Sequence, residues 1–221
     1  MPLQPENYPA KSPLIAPELE EQLSQLLSKL AAPVTLVCLL GEDGKSGEMA
    51  AFLNHVAGLS PRLSLRLLSP GEDPAMDETL DASMLPATGV YVGEEFGRMV
   101  FHGVPGGKEI TGFAGALLNA GNAAKPLDKP TLKDIGRIKK PVNIQVCVSL
   151  ACHHCAQLVM NAQRVAWETP LVTAHMIDAN LYPELVKRYQ IQRVPLTVLN
   201  GEKTVPGGKT MAELTTLLAK L

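Results

Sequence analysis

The sequence predicts an α/β protein built twice over, with two tandem copies of a βαβαββα unit, each a thioredoxin-like fold, packed as one. In each copy a mixed central sheet is flanked by helices. Two pairs of repeated motifs carry this reading. PVTLVC at 33–38 is echoed by PVNIQVC at 141–147 with one inserted residue, and VPGGK at 104–108 returns as VPGGK at 205–209. The offset is 108 to 109 residues at the first pair and 101 at the second, so the order is kept with modest changes in loop length. One five-residue match can arise by chance, whereas two in register argue for duplication. Hydrophobic periodicity supplies the third observation, alternating in the strand segments and helical between them.

The elements follow in order. Residues 1–16 read as an N-terminal tail, 17–121 as the first copy, 122–140 as a linker with a leading helix, and 141–221 as the second copy. A helix rich in leucine and charged residues (17–30) opens copy one, and a shorter helical segment (131–138) precedes copy two. A strand follows each, then a helix at 46–59 or 152–167 and a second strand at 64–68 or 171–177. Copy two adds an amphipathic helix at 182–189 before the strand 194–199. A two-stranded end and a last helix, 110–118 and 211–218, complete both copies. Between them GNAAKPLDKP (121–130) has two prolines, two lysines and few apolar residues, the composition of a linker.

Composition narrows the function classes. The 221 residues are 46% hydrophobic and 19% charged with a formal net charge of −2, and no block of lysine and arginine invites nucleic acid or an anionic membrane. No apolar run is long enough to cross a bilayer. The opening MPLQPENYPAKSPLIAPELEEQ lacks an apolar stretch after a basic start, so a cytoplasmic protein is expected. Four cysteines are too few for a disulfide scaffold in this length.

The chemistry is concentrated in Cys152-His153-His154-Cys155, set between the strand-like NIQVCV (143–148) and the helical AQLVMNAQRVAW (156–167). Two cysteines three apart in the first turn of a helix share one face and can close a disulfide. The helix N-terminus favours the thiolate of the first, which is the attacking form. The spacing also suits half of a zinc site. Four adjacent residues cannot easily surround one metal, and no second Cys-x-x-Cys completes a cage, so no metal site is assigned. A strand–CxxC–helix unit of this kind reads as a thioredoxin-like redox site. Cys38 and Cys147 lie in apolar runs and read as small buried hydrophobes. His55, His102 and His175 are scattered over different elements and read as ordinary residues, and Trp167 as a packing residue. Pro195 opens the strand VPLTVL some 40 residues after the motif. An edge-strand proline and a cis proline facing the cysteines both fit that position, and the spacing favours the second.

Tandem folds of this type, with CxxC in the second alone, resemble the N-terminal domain of the flavoprotein subunit of bacterial alkyl hydroperoxide reductase. The likeness runs from about Leu19 to the C-terminus and includes LSKLAAPVTLVCLL, GKSGEMAAFL, GVPGGKEITGFAGALLNAG and VPLTVLNG. The resemblance implies a thiol–disulfide oxidoreductase that takes electrons from a flavin-dependent disulfide reductase module and passes them to a peroxiredoxin through Cys152 and Cys155. FAD and NADH are expected on the partner module and no cofactor in this chain, which has no GxGxxG fingerprint. Cys152 would attack and Cys155 resolve. His154, inside the motif, is read as stabilising the Cys152 thiolate, and His153 as a solvent-facing side chain. In copy one Asp43 to Ser46 take the place of the motif and none is a thiol, while Pro86 corresponds to Pro195. Glu109 matches a glutamate that lies near the disulfide in the family. On sequence alone it is a solvated acid at a helix start. The rival functions are a general protein-disulfide reductase or isomerase, and a non-catalytic module whose CxxC binds metal.

Overall fold

A computed structural model describes residues 3–221. Copy one runs β1 (Val34–Leu39), α2 (Gly44–Ala57), β2 (Leu63–Leu68), α3 (Pro74–Leu80), β3 (Ala87–Val92), β4 (Glu95–His102) and α4 (Ile110–Ala120), preceded by α1 (Pro17–Leu27). Copy two repeats the order as β5 (Val142–Val148), α6 (Cys155–Glu168), β6 (Val172–Asp178), α7 (Pro183–Arg188), β7 (Leu196–Leu199), β8 (Lys203–Pro206) and α8 (Met211–Leu218), preceded by α5 (Lys129–Ile135). Each half is a thioredoxin-like βαβαββα unit. The strands form one eight-stranded sheet in the order β2-β1-β3-β4-β6-β5-β7-β8. The halves meet where β4 pairs with β6 in parallel, from Met99 opposite Ala174 to His102 opposite Ile177.

Alternation along the strands sorts side chains onto two faces. Val34, Leu36 and Cys38 of β1, Met99 and Phe101 of β4, and Val142, Ile144, Val146 and Val148 of β5 point into the large core under α2, α4 and α6. Val37 and Leu39 face the smaller core beneath α3, and Cys147 faces that beneath α7. The two cysteines of the repeated strand therefore lie on opposite faces and are not equivalents. The ladders agree, since Leu39 pairs with Ala87 and Cys147 with Leu196, the residues that follow Pro86 and Pro195. The offset is thus 108 along the whole strand. The inserted residue inferred from the matching cysteines would turn every side chain to the wrong face.

Helix α3 is not expected from the sequence of copy one. Its signals are local, with Asp73 capping the Met76 amide and Pro74 in the first turn, but SPGEDP reads more readily as a turn. Residues 3–16 pack against copy one: Asn54 donates to the carbonyls of Pro5, Tyr8 and Pro9, and the Ser12 amide donates to His55 Nδ1. His55 also meets Glu20 at 3.1 Å, a tie its place in the sequence does not announce.

Polar contacts reinforce the junction on the α3/α7 face. The carbonyl of Met84 can only accept, so His102 Nδ1, 2.8 Å away, carries the proton. His102 Nε2 then accepts from His175 Nδ1 at 3.0 Å, which makes the His102 ring neutral. Burial pushes both imidazoles down, His175 to about 3. Tyr182 at the start of α7 donates to the carbonyls of Met84 and Leu85, crossing from one half to the other. Separating the halves would strip this network and expose the apolar α4–α6 seam. Both halves are therefore expected to unfold in one transition. Urea unfolding followed by far-ultraviolet circular dichroism and by fluorescence of Trp167, the single tryptophan, should give coincident curves. Two separated transitions would show that the halves are independent.

Candidate functional site

The site forms where β5 ends. Cys152 and Cys155 are joined in a disulfide with their Cα atoms 5.5 Å apart. Helix α6 begins at Cys155, later than the sequence pattern places it, and Cys152 to His154 form the turn that enters it, with the Cys152 amide donating to the Ser149 carbonyl. Cys155 is fully buried in the large core while Cys152 is partly exposed. A disulfide partner can therefore reach Cys152 first, and Cys155 is the first residue of α6. His153 and His154 are both exposed, and His154 is the N-cap of α6 without a side-chain capping bond.

The second wall is the loop before β7. Val194–Pro195 is a cis bond, as is Leu85–Pro86 at the matching place in copy one. The Val194 carbonyl oxygen lies 3.9 Å from Cys152 Sγ, and the Pro195 carbonyl accepts from the Gly207 amide. These two contacts fix the backbone of the proline loop against the disulfide on one side and against the β8 loop on the other.

Copy one supplies the third wall and grips α6 along its length. A single 3-10 turn, Gly107–Glu109, lies over the loop that leads into Cys152, with the Lys108 amide donating to the Leu150 carbonyl at 2.9 Å. Gly107 has φ +55°, and a Cβ there would come within 2.6 Å of the Leu150 oxygen. Glycine is required on both counts. At the far end of α6, Arg98 of β4 donates to the carbonyls of Ala166 at 2.8 Å and Trp167 at 3.2 Å, so a cation closes the helix C-terminus. Between these ends α4 approaches closely because Gly112 faces Val159.

Glu109 is wholly buried, and neither carboxylate oxygen has a hydrogen-bond partner among the described residues. A Cβ at Gly112 would stand 3.7 Å from Glu109 Oε2 and 3.3 Å from Val159 Cγ1. Val159 is four residues past Cys155 and so on the same face of α6. The carboxyl thus lies in the α4–α6 seam on the side of the helix that carries the Cys155 sulfur. Burial, with a smaller contribution from the negative charge of Asp178, raises its pKa to about 7. The solvated helix-start acid expected from sequence alone is corrected: a helix packed over the turn excludes water from it. Asp178 is itself buried at the end of β6, where it accepts from the Asn180 backbone and side chain. Sequence reasoning misses Asp178 and Arg98, because each acts across the two halves. Cys38 and Cys147 are buried, and burial pushes both thiols up to about 12, which leaves them as packing residues.

Among the described residues, no three His, Cys, Asp or Glu side chains converge as a metal-binding group, and no helix is long and apolar enough to cross a membrane. The arrangement, a partly exposed sulfur bonded to a buried one beside a proline loop, is that of a thiol–disulfide oxidoreductase.

Comparison with known proteins agrees. Residues 142–219 match the thioredoxin domain family Thioredoxin_3. The chain is 33% identical to the alkylhydroperoxide reductase AhpF of Enterococcus faecalis (V583), solved as its C503A mutant, with a TM-score of 0.87 over 92% of this chain and 99% of that one. It is 32% identical to the NTD_N/C domain of the same enzyme, with the same TM-score and the same coverage. The alkyl hydroperoxide reductase F subunit of Staphylococcus aureus (strain NCTC 8325 / PS 47) is 28% identical over 89% of this chain but 36% of its own length. The chain thus spans little more than a third of the curated relatives it matches. It belongs to the alkyl hydroperoxide reductase AhpF family, as the counterpart of that protein's tandem N-terminal domain.

Proposed function

We propose that this chain relays an electron pair from a flavin-dependent disulfide reductase module, which holds FAD and uses NADH, to a peroxiredoxin, in the cytoplasm. The module's thiolate attacks the Cys152–Cys155 disulfide, a second thiol of the module resolves, and the chain is left as a dithiol. Cys152 then attacks the peroxiredoxin disulfide as a thiolate. One peroxiredoxin sulfur leaves with a proton, and Cys155 displaces the other, re-forming the disulfide. Two electrons and two protons pass in each half. The observation that carries this reading is the inequality of the two sulfurs, one exposed beside the proline loop and one buried at a helix N-terminus, in a chain of this family.

The remaining site residues take supporting roles. Pro195 presents the Val194 backbone to an extended partner segment beside the sulfur. His154 stabilises the Cys152 thiolate when protonated. Glu109 opposes that thiolate when ionised, which keeps the attacking thiol from being too acidic to react well. The test is a reconstituted assay with the flavin reductase module, this chain, a peroxiredoxin, peroxide and NADH. NADH consumption should depend on the chain and on the peroxiredoxin together. Equal consumption without the chain would overturn the relay. Reduction of unrelated protein disulfides as fast as the peroxiredoxin would favour a general disulfide reductase.

A further inference from the structure

Four segments surround the Cys152–Cys155 disulfide, and their charges are one-sided. Residues 103–109 are tied to the motif loop through Lys108 and Leu150, and residues 149–155 carry the cysteines. Residues 190–195 bring Val194 to the sulfur, and residues 206–213 close a cavity of about 300 Å³ with His153, His154 and Leu158. These segments hold Lys108, Arg193 and Lys209 and both histidines of the motif, with two carboxylates among them. Among the described residues neither carboxylate is paired with Lys108 or Arg193. Glu109 is buried, and Glu213, exposed and held ionised in a capping box by the Thr210 amide and hydroxyl, lies beside Lys209 and offsets that cation. Lys108, Arg193, His153 and His154 are exposed, and Lys209 is half-buried, its ammonium resting on the carbonyls of Pro206 and Gly208. In a chain of net charge −2 this is a local reversal of sign, placed around the one sulfur a partner can reach.

We propose that this cationic rim selects partner segments that carry acidic residues beside their disulfide. The inference rests on the exchange chemistry given above and adds the chemical character of the acceptor. Rim charges of this kind act mainly on the rate of encounter and on the rejection of like-charged partners, and salt screens them. Arg193 adjoins Val194, along which an extended segment would lie, and Lys108 stands on the wall that copy one supplies, tied to Leu150. An acidic side chain on either flank of the partner's cysteine would therefore meet a cation. The surface suits a protein segment, since the reactive group it encircles is a sulfur that takes another disulfide.

The test uses the reduced full chain and three disulfide-bearing peptides of equal length, flanked by Asp and Glu, by Ser, or by Lys and Arg. Each second-order rate is divided by the rate with bis(2-hydroxyethyl) disulfide, so that any general change in the cysteines or the fold cancels. The acidic peptide should react faster than the basic one by about tenfold or more at low salt, with the gap closing as salt rises. The double variant Lys108→Glu and Arg193→Glu should invert the order. Equal normalised rates for the three wild-type reactions, or a gap indifferent to salt, would overturn the proposal. No reaction with any disulfide, the small one included, would instead count against the exchange chemistry itself.

Discussion

The Cys152→Ser protein should lose disulfide transfer, with a fall on the order of 10³-fold or more, while keeping its fold. The size of the effect follows from the burial of the remaining thiol. Cys155 has no exposed surface and lies beneath the turn that Cys152 begins, so a partner's disulfide cannot line up with its sulfur. The fold should survive because Cys152 is only partly buried and serine is close to it in size. Stopped-flow reduction of a peroxiredoxin disulfide by the reduced variant measures the loss, and circular dichroism checks the fold. A variant that still transfers at the wild-type rate would show that Cys152 is not the nucleophile.

The second large effect belongs to Glu109. Its folded pKa of about 7 stands above the ordinary 4.5, so between those values the folded chain holds a proton that the unfolded chain has lost. Stability from this group is complete below pH 4.5 and falls as pH rises through 7, by up to about 3 kcal/mol, since each pKa unit is worth about 1.4 kcal/mol. His175 works in the opposite sense. Its folded pKa of about 3 lies below the ordinary 6.5, so its contribution is present above 6.5 and is lost as pH falls toward 3. Between about 4.5 and 6.5 the two contributions run in opposite directions and cancel, so the wild-type curve should rise from about pH 3 to 4.5, stay level to about 6.5 and dip slightly toward 7. Glu109→Gln should remove the fall between about 4.5 and 7, so that the stability of the variant keeps rising to about pH 6.5 and the variant is the more stable protein at pH 8. Urea melts of both proteins across the pH range measure this difference. Parallel curves would mean that ionising the buried carboxyl costs the fold nothing. In the reduced protein the same substitution should lower the pKa of Cys152, followed by thiolate ultraviolet absorbance, because an ionised Glu109 opposes a second negative charge nearby.

These two residues also mark what the sequence can convey. Cys152 and Cys155 are legible because their chemistry depends on a spacing of three residues next to a strand and a helix, all of it local. Pro195 is legible from its distance to that motif, and α8 from the helical pattern that follows the repeated VPGGK. Glu109 is legible as a residue but not as a buried one, since its burial depends on α6, which lies in the other half. The β4–β6 ladder, the His102–His175 pair and the Arg98 closure of α6 leave no trace in local pattern for the same reason. The false match of Cys38 with Cys147 arises because two small buried residues one position apart look alike in sequence while pointing to opposite faces of the sheet.

Cys155→Ser gives the most direct test of the relay. The reduced variant keeps the attacking sulfur and lacks the resolving one, so on mixing with an oxidised peroxiredoxin it should stop at a covalent adduct of the two chains. Mass spectrometry of the digested adduct should find Cys152 joined to a peroxiredoxin cysteine, and dithiothreitol should release both proteins. An adduct through Cys38 or Cys147, or no adduct while the wild-type protein still reduces the peroxiredoxin, would contradict the account.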